Sequence, residues 1–284
     1  MRPIDQTTVL ITGATDGLGR GVAERLAAEG ADLHLHGRDP ERLASTADAI
    51  RGESGNERVQ THLADLASLQ EVRGLADEVE ASTDQLHLLI SNAGIGSGRP
   101  DKTTRQESRD GHELRFAVNY LAGFLLTVRL LPLLRRSAPA RVVNVASLGQ
   151  APIDFDDVML ERDYEGSLAY SQSKLAQISS ANFLAEQVAA EEVTFNSLHP
   201  ATFMPTKIVL EQAGHSMDSL EEGIEATLRL ATSPEMDGVS GRFFDRQEES
   251  AAHGQAYDED AQRRLWELSL QLTGEPDPFV DASR

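Results

Sequence analysis

A tyrosine and a lysine four residues apart, Tyr170 and Lys174 in the run Tyr-Ser-Gln-Ser-Lys, are the side chains of this sequence best suited to moving a proton. On a helix that spacing projects both from one face. A free phenol, with a pKa of about 10, is a poor base at neutral pH. A nearby ammonium favours the phenolate and lowers that value, so the pair predicts a tyrosine usable in acid–base chemistry. Such a pair also arises by chance, but Lys174 is one of only three lysines in the chain, with Lys102 and Lys207, and it falls mid-helix.

A second constellation lies near the start. Thr12-Gly13-Ala14-Thr15-Asp16-Gly17-Leu18-Gly19 follows the first apolar run and opens the first helical stretch. Glycines at 13, 17 and 19 let the backbone turn tightly and approach a pyrophosphate held at the helix N-terminus. The spacing is G-x-x-x-G-x-G rather than G-x-G-x-x-G. Gly37 stands where an NAD-binding chain carries a carboxylate for the adenosine ribose, and Arg38 follows it. With no carboxylate to repel a 2′-phosphate and a guanidinium able to pair with one, the expected cofactor is NADP, with NAD possible. Asp65 and Leu66, after the third strand, are placed for adenine, although Asp65 reads equally well as a helix N-cap.

These groups need elements to hold them. Strands are expected at Val9–Ile11, Leu33–His36, Val59–His62, Leu86–Ile90, Val142–Ala146, Thr194–Leu198 and Gly241–Phe244, alternating with amphipathic helical stretches. That alternation specifies a doubly wound α/β fold: a parallel sheet of about seven strands between two helical layers. No linker or repeat interrupts it, so residues 1–284 read as one domain, with a cofactor half of about 1–147 and a catalytic half of about 148–284. Cysteine is absent, excluding disulfides and thiolate metal sites and favouring a cytoplasmic address. No secretory leader is evident, and no run approaches the roughly 18 apolar residues of a membrane span. The net charge of −20 argues against nucleic acid as a partner.

With these residues in view, the chain resembles the short-chain dehydrogenase/reductase family, in the retinol-dehydrogenase-like branch that also includes the WW-domain oxidoreductases. The resemblance runs over essentially the whole length. It is carried by Thr12–Gly19, by Asn92-Ala93-Gly94 after the fourth strand, by Asn119 in Phe-Ala-Val-Asn-Tyr-Leu, by Ser147 after the fifth strand, and by Tyr170 and Lys174. Asp154-Phe155-Asp156-Asp157 and Arg264-Leu265-Trp266-Glu267-Leu268-Ser269 also look like that branch.

The resemblance implies a Rossmann-type fold and a set of roles. Tyr170 would exchange the proton on the substrate oxygen, Ser147 would hold that oxygen, Lys174 would tune Tyr170 and bind the nicotinamide ribose, and Asn119 would hold a water linking Lys174 to solvent. Gly13, Thr15, Asp16, Gly17, Leu18, Gly19, Arg38, Asp65, Leu66, Asn92, Ala93, Gly94 and Pro200 would line the cofactor, together with Tyr170 and Lys174. The family's Pro-Gly after the sixth strand is Pro200-Ala201 here, leaving Thr202 or Thr206 as the nicotinamide contact. Substrate walls are expected at Ile95–Arg105, Leu148–Asp157 and Phe203–Leu210, suiting a hydrophobic ketone, aldehyde or alcohol. Membrane-bound retinol enzymes carry an apolar anchor not seen in this sequence, so retinoid specificity is not carried over. The long helices Glu113–Arg135 and Ala169–Ala190 are those that relatives bury between subunits, giving an expected homodimer or homotetramer. A non-catalytic NADP sensor is the alternative.

The charge balance yields a test of its own. Twenty-six basic residues face 46 acidic ones, and only three of the basic residues are lysine. A salt-adapted cytoplasm selects this pattern, and a genome favouring arginine codons produces it too. Screening shrinks from about 30 Å at 0.01 M salt to about 3 Å at 1 M. If the charge is an adaptation, the melting temperature rises steeply with KCl over that range; a flat melting temperature assigns the pattern to base composition.

Overall fold

The computed structural model describes residues 2–97, 103–202, 204 and 218–280. Eight strands among them form one sheet in the order β3-β2-β1-β4-β5-β6-β7-β8. These are β1 (Thr8–Ile11), β2 (Asp32–Gly37), β3 (Val59–Leu63), β4 (Leu88–Ser91), β5 (Ala140–Val145), β6 (Val193–His199), β7 (Arg242–Asp245) and β8 (Glu248–Ser250). All pairings are parallel except β7 with β8. Every residue of β1, β4 and β6 is buried, as expected of parallel strands covered on both faces. The seven expected strands are all present. The eighth, Glu248–Ser250, is three polar residues folded back on the sheet edge, with no apolar period to announce it.

Helices cover both faces, and each face has its own apolar core. On one lie α1 (Gly17–Ala28), α2 (Pro40–Ser54) and α6 (Leu220–Thr232), whose Leu26, Ile50 and Leu230 pack over Leu33, Leu35 and Val143. On the other lie α3 (Leu69–Ser82), α4 (Ala122–Arg136), α5 (Gly166–Gln187) and α7 (Glu259–Thr273), whose core includes Val72, Leu125, Leu175 and Trp266. Short polar side chains start several helices. Asp16, Asp39 and Ser68 cap α1, α2 and α3, and Ser219 forms a reciprocal capping box with Glu222 at α6. Asp65 is therefore not the cap of α3. It sits one turn earlier, accepting from Ala67 N–H at 3.0 Å.

One sequence expectation is corrected by this packing. The stretch Phe116–Arg136, a π-helical turn (Phe116–Leu121) continuing into α4, is 21 residues long and apolar enough by composition to cross a membrane, contrary to the reading that no run comes close. Its apolar window is 78% buried inside the fold, as a core helix would be. Aromatic side chains pack α7 onto α4 and α5. Trp266 of α7 stacks on Phe183 of α5 at 4.7 Å and meets Phe124 of α4 edge-on at 5.2 Å. The Tyr120 hydroxyl lies 2.7 Å from the Ser269 hydroxyl. The last helix among the described residues thus packs against α4 and α5.

Candidate active site

The groups singled out in the sequence converge at the carboxyl ends of β1, β4, β5 and β6, flanking the boundary between β1 and β4 where the strand order reverses. In doubly wound sheets that boundary is where ligands bind. The Gly-rich turn leaves β1 with Gly13 at φ +67° and Gly17 at φ +49°, backbone that disfavours other residues. A Cβ on Gly19 would stand 2.3 Å from Gly13 O and 2.4 Å from Asn92 Nδ2, so the helix approaches the turn only because that side chain is missing. The result is a backbone cradle at the N-terminus of α1, shaped for a pyrophosphate.

Asn92-Ala93-Gly94 braces the cradle. Asn92 Nδ2 donates to Thr12 O at 2.8 Å and Gly13 O at 3.1 Å. The Thr12 hydroxyl in turn accepts from Asn92 N–H at 2.9 Å and Ala93 N–H at 3.0 Å. Thr15 and Leu18 lie in the same turn and helix start, and a Cβ on Gly37 would stand 2.6 Å from Thr15 Cγ2. Asp16 caps α1 and pairs with Arg42 at 2.9 Å. Arg38 is exposed, and among the described residues no hydrogen bond or ion pair engages it. Asp39 is engaged in capping α2 through Glu41 N–H and Arg42 N–H. Asp65 faces Arg109 at 3.4 Å, and Leu66 is buried.

The groups expected to move protons sit across the crevice. Ser147, just past β5, lies beside Tyr170, a Cβ on Gly149 standing 3.4 Å from Ser147 Oγ and 3.8 Å from Tyr170 Cε1, and Gly149 N–H donates to Ser147 Oγ at 3.0 Å. Lys174 Nζ lies 5.7 Å from the centre of the Tyr170 ring, as the four-residue spacing requires. The ammonium donates to Val145 O at 2.8 Å and to Gln177 Oε1 at 3.0 Å. Gln177, one helical turn beyond Lys174, was not singled out in the sequence. Asn119 sits in the π-helical turn with Oδ1 accepting from Ile95 N–H at 2.7 Å and Nδ2 donating to Ile95 O at 3.1 Å and Ser173 Oγ at 3.0 Å. It clamps the loop after β4 and does not reach Lys174 directly.

The electrostatics depart from the sequence expectation in one respect. Burial pushes the Tyr170 phenol up from its ordinary value, with Ser147 opposing. The ammonium is anchored to Val145 O and Gln177 and lies over the ring. Burial without a counter-charge pushes Lys174 itself down to about 7.

Pro200 is buried. The Thr202 hydroxyl is held by Arg246 at 3.1 Å and by His199 Nε2 at 3.1 Å. Of the expected substrate walls, Leu148 next to Ser147 is exposed apolar surface. Met204 instead packs into the core, where a Cβ on Gly223 would stand 2.3 Å from its sulfur. Thr206, Phe203, residues 98–102 and 205–210 lie outside the described residues.

A family model described as short chain dehydrogenase matches residues 7–214. The chain is 36% identical to retinol dehydrogenase 13 of Homo sapiens, over 96% of this chain and 86% of that protein. It is 37% identical to polyprenol dehydrogenase of Mus musculus, over 93% and 83% of the two. Among solved structures, a protein from Mycobacterium paratuberculosis aligns with a TM-score of 0.77 at 29% identity, covering 95% of this chain and 94% of that one. The Pseudomonas aeruginosa RhlG/NADP active-site complex aligns with a TM-score of 0.69 at 27% identity, covering 86% and 97%.

The buried lysine predicts a pH dependence of stability. Below pH 7 the folded protein buries an ammonium. Between about 7 and 10.5 it holds one proton fewer there than the unfolded chain does, so stability climbs with pH. Lys174→Met should melt a few degrees above the parent at pH 6, and this margin should close as pH rises towards 10. A variant that melts lower at pH 6, by calorimetry, would show that the bonds to Val145 and Gln177 outweigh the desolvation.

Proposed function

The chain belongs to the short-chain dehydrogenase/reductase family, in the retinol-dehydrogenase-like branch, and from that premise we propose an NADP(H)-preferring enzyme that interconverts a hydrophobic alcohol with its ketone or aldehyde, Tyr170 acting as the acid–base group. The observation carrying this reading is the convergence of Ser147, Tyr170 and Lys174 beside a backbone cradle that closes only around glycine. The nicotinamide supplies hydride when bound, and the chain's own residues do the rest.

Ser147 and the Tyr170 phenol lie side by side and offer two donors for one point, where a carbonyl oxygen is held and polarised. As negative charge develops there, the Tyr170 proton passes to the oxygen. A phenol kept protonated by burial is suited to give that proton up in the reductive direction. Lys174, down at about 7, exchanges its own proton readily near neutral pH and opposes the charge left on the phenol. Cofactor preference rests on Arg38, exposed and free of a carboxylate partner among the described residues, with Asp16 neutralised by Arg42 nearby. The hydrophobic substrate class rests on Leu148, 46% exposed beside Ser147.

Tyr170→Phe removes a single oxygen, so it should bind NADPH as the parent does while turnover of hydrophobic carbonyls falls about 10²- to 10⁴-fold. Retention of most of kcat would overturn the acid–base assignment. Arg38→Ala should raise the NADPH Kd by about one to two decades, the worth of a charge-assisted bond, and leave that of NADH nearly unchanged. Equal affinity of the parent for the two cofactors, by titration calorimetry, would remove NADP preference from the proposal.

A further inference from the structure

His36, the penultimate residue of β2, joins the two ends of the dinucleotide cradle. Its Nδ1 accepts from Gly13 N–H at 3.2 Å, and its Nε2 lies 3.0 Å from Ala64 O. Its own carbonyl accepts from Ala14 N–H at 2.9 Å, and Ala64 N–H donates to Gly37 O at 3.2 Å. Only one form of the ring makes both side-chain contacts: neutral, with Nε2 protonated and Nδ1 bare. Gly13 N–H is a part-buried donor on a residue in the left-handed region, and the imidazole is its acceptor. Ala64 immediately precedes Asp65 and Leu66, the expected adenine edge. We propose that His36 is a positioning residue for the cofactor, its neutral ring fixing the distance between the pyrophosphate turn and the adenine edge. This rests on the dinucleotide reading above.

The surroundings favour the neutral form. His62 stands opposite His36 in the register of β2 with β3. His34 lies on the same face as His36, two residues back, with its Nδ1 2.9 Å from His62 Nε2. Glu78 of α3 approaches His62 Nδ1 at 3.5 Å, and Asp65, paired with Arg109, lies past the end of β3. Burial pushes His36 down to about 4, reinforced by His62 and opposed by the Ala64 carbonyl and Asp65. Protonation at Nδ1 would turn the acceptor into a donor aimed at the Gly13 donor.

Two side chains mimic the two ring nitrogens separately. Asparagine places an acceptor near the Nδ1 position, whereas glutamine reaches the Nε2 position and leaves Gly13 unpaired. NADP⁺, stable in acid, is titrated by calorimetry into the parent, His36→Asn, His36→Gln and His36→Ala, with kcat measured at saturating NADPH. His36→Gln and His36→Ala should raise the NADP⁺ Kd about tenfold, a buried donor losing its acceptor, with kcat unchanged. His36→Asn should restore most of the affinity. The ratio of parental to His36→Asn Kd should rise as pH falls from 6 to 4. Parental affinity in His36→Ala, an Asn variant no better than Gln, or a flat ratio each overturns the assignment. A parent that binds neither NADP⁺ nor NADPH defeats the dinucleotide reading itself, a result separate from any difference among the variants.

Discussion

β1 and β4 pair in parallel where the strand order reverses, and at its carboxyl end that seam is braced by side chains. β1 leads into α1 on one face, while β4 leads towards α4 on the other, so their carboxyl ends diverge. The Thr12 hydroxyl and the Asn92 amide hold them together with four hydrogen bonds of 2.8–3.1 Å. The Gly-rich turn hangs from the β1 side of that seam, Asn92-Ala93-Gly94 from its β4 side, and Ser147, Tyr170 and Lys174 from elements beyond. The staple adds to the β1–β4 pairing in fixing the cradle against those elements.

What the sequence disclosed follows from how strictly geometry constrains each residue. The Gly-rich turn was legible because a Cβ at 13 or 19 has nowhere to go. Tyr170 and Lys174 were legible because a helix fixes their separation. Seven strands were legible because burial on both faces demands continuous apolar runs. β8 was not, since an edge strand of Glu-Glu-Ser carries no such demand. Asp65 and Ser68 are both good caps, and only the path of the chain into α3 decides between them. His36 was missed for another reason: its partners, Gly13 and Ala64, are 23 and 28 residues away and meet it only across β-pairing. The available signal was a titratable residue alternating with leucines in a strand expected to be buried.

The site also carries two perturbed groups: a lysine 5% exposed and pushed down to about 7, and a tyrosine pushed above its usual range by burial. Val145 and Gln177 anchor the ammonium, and Asn119 fixes Ile95 in the loop after β4. A residue such as Gln177 thus acts only through the one it holds.

The packing of Trp266 between Phe124 and Phe183 has a consequence in mass action. A face buried between copies is stabilised only as far as their concentration allows, and it empties on dilution. Here the covering helix is tethered to the surface it covers, so its effective concentration is set by the chain and not by the solution. The faces of α4 and α5 that α7 covers are therefore shielded at nanomolar protein as completely as at millimolar.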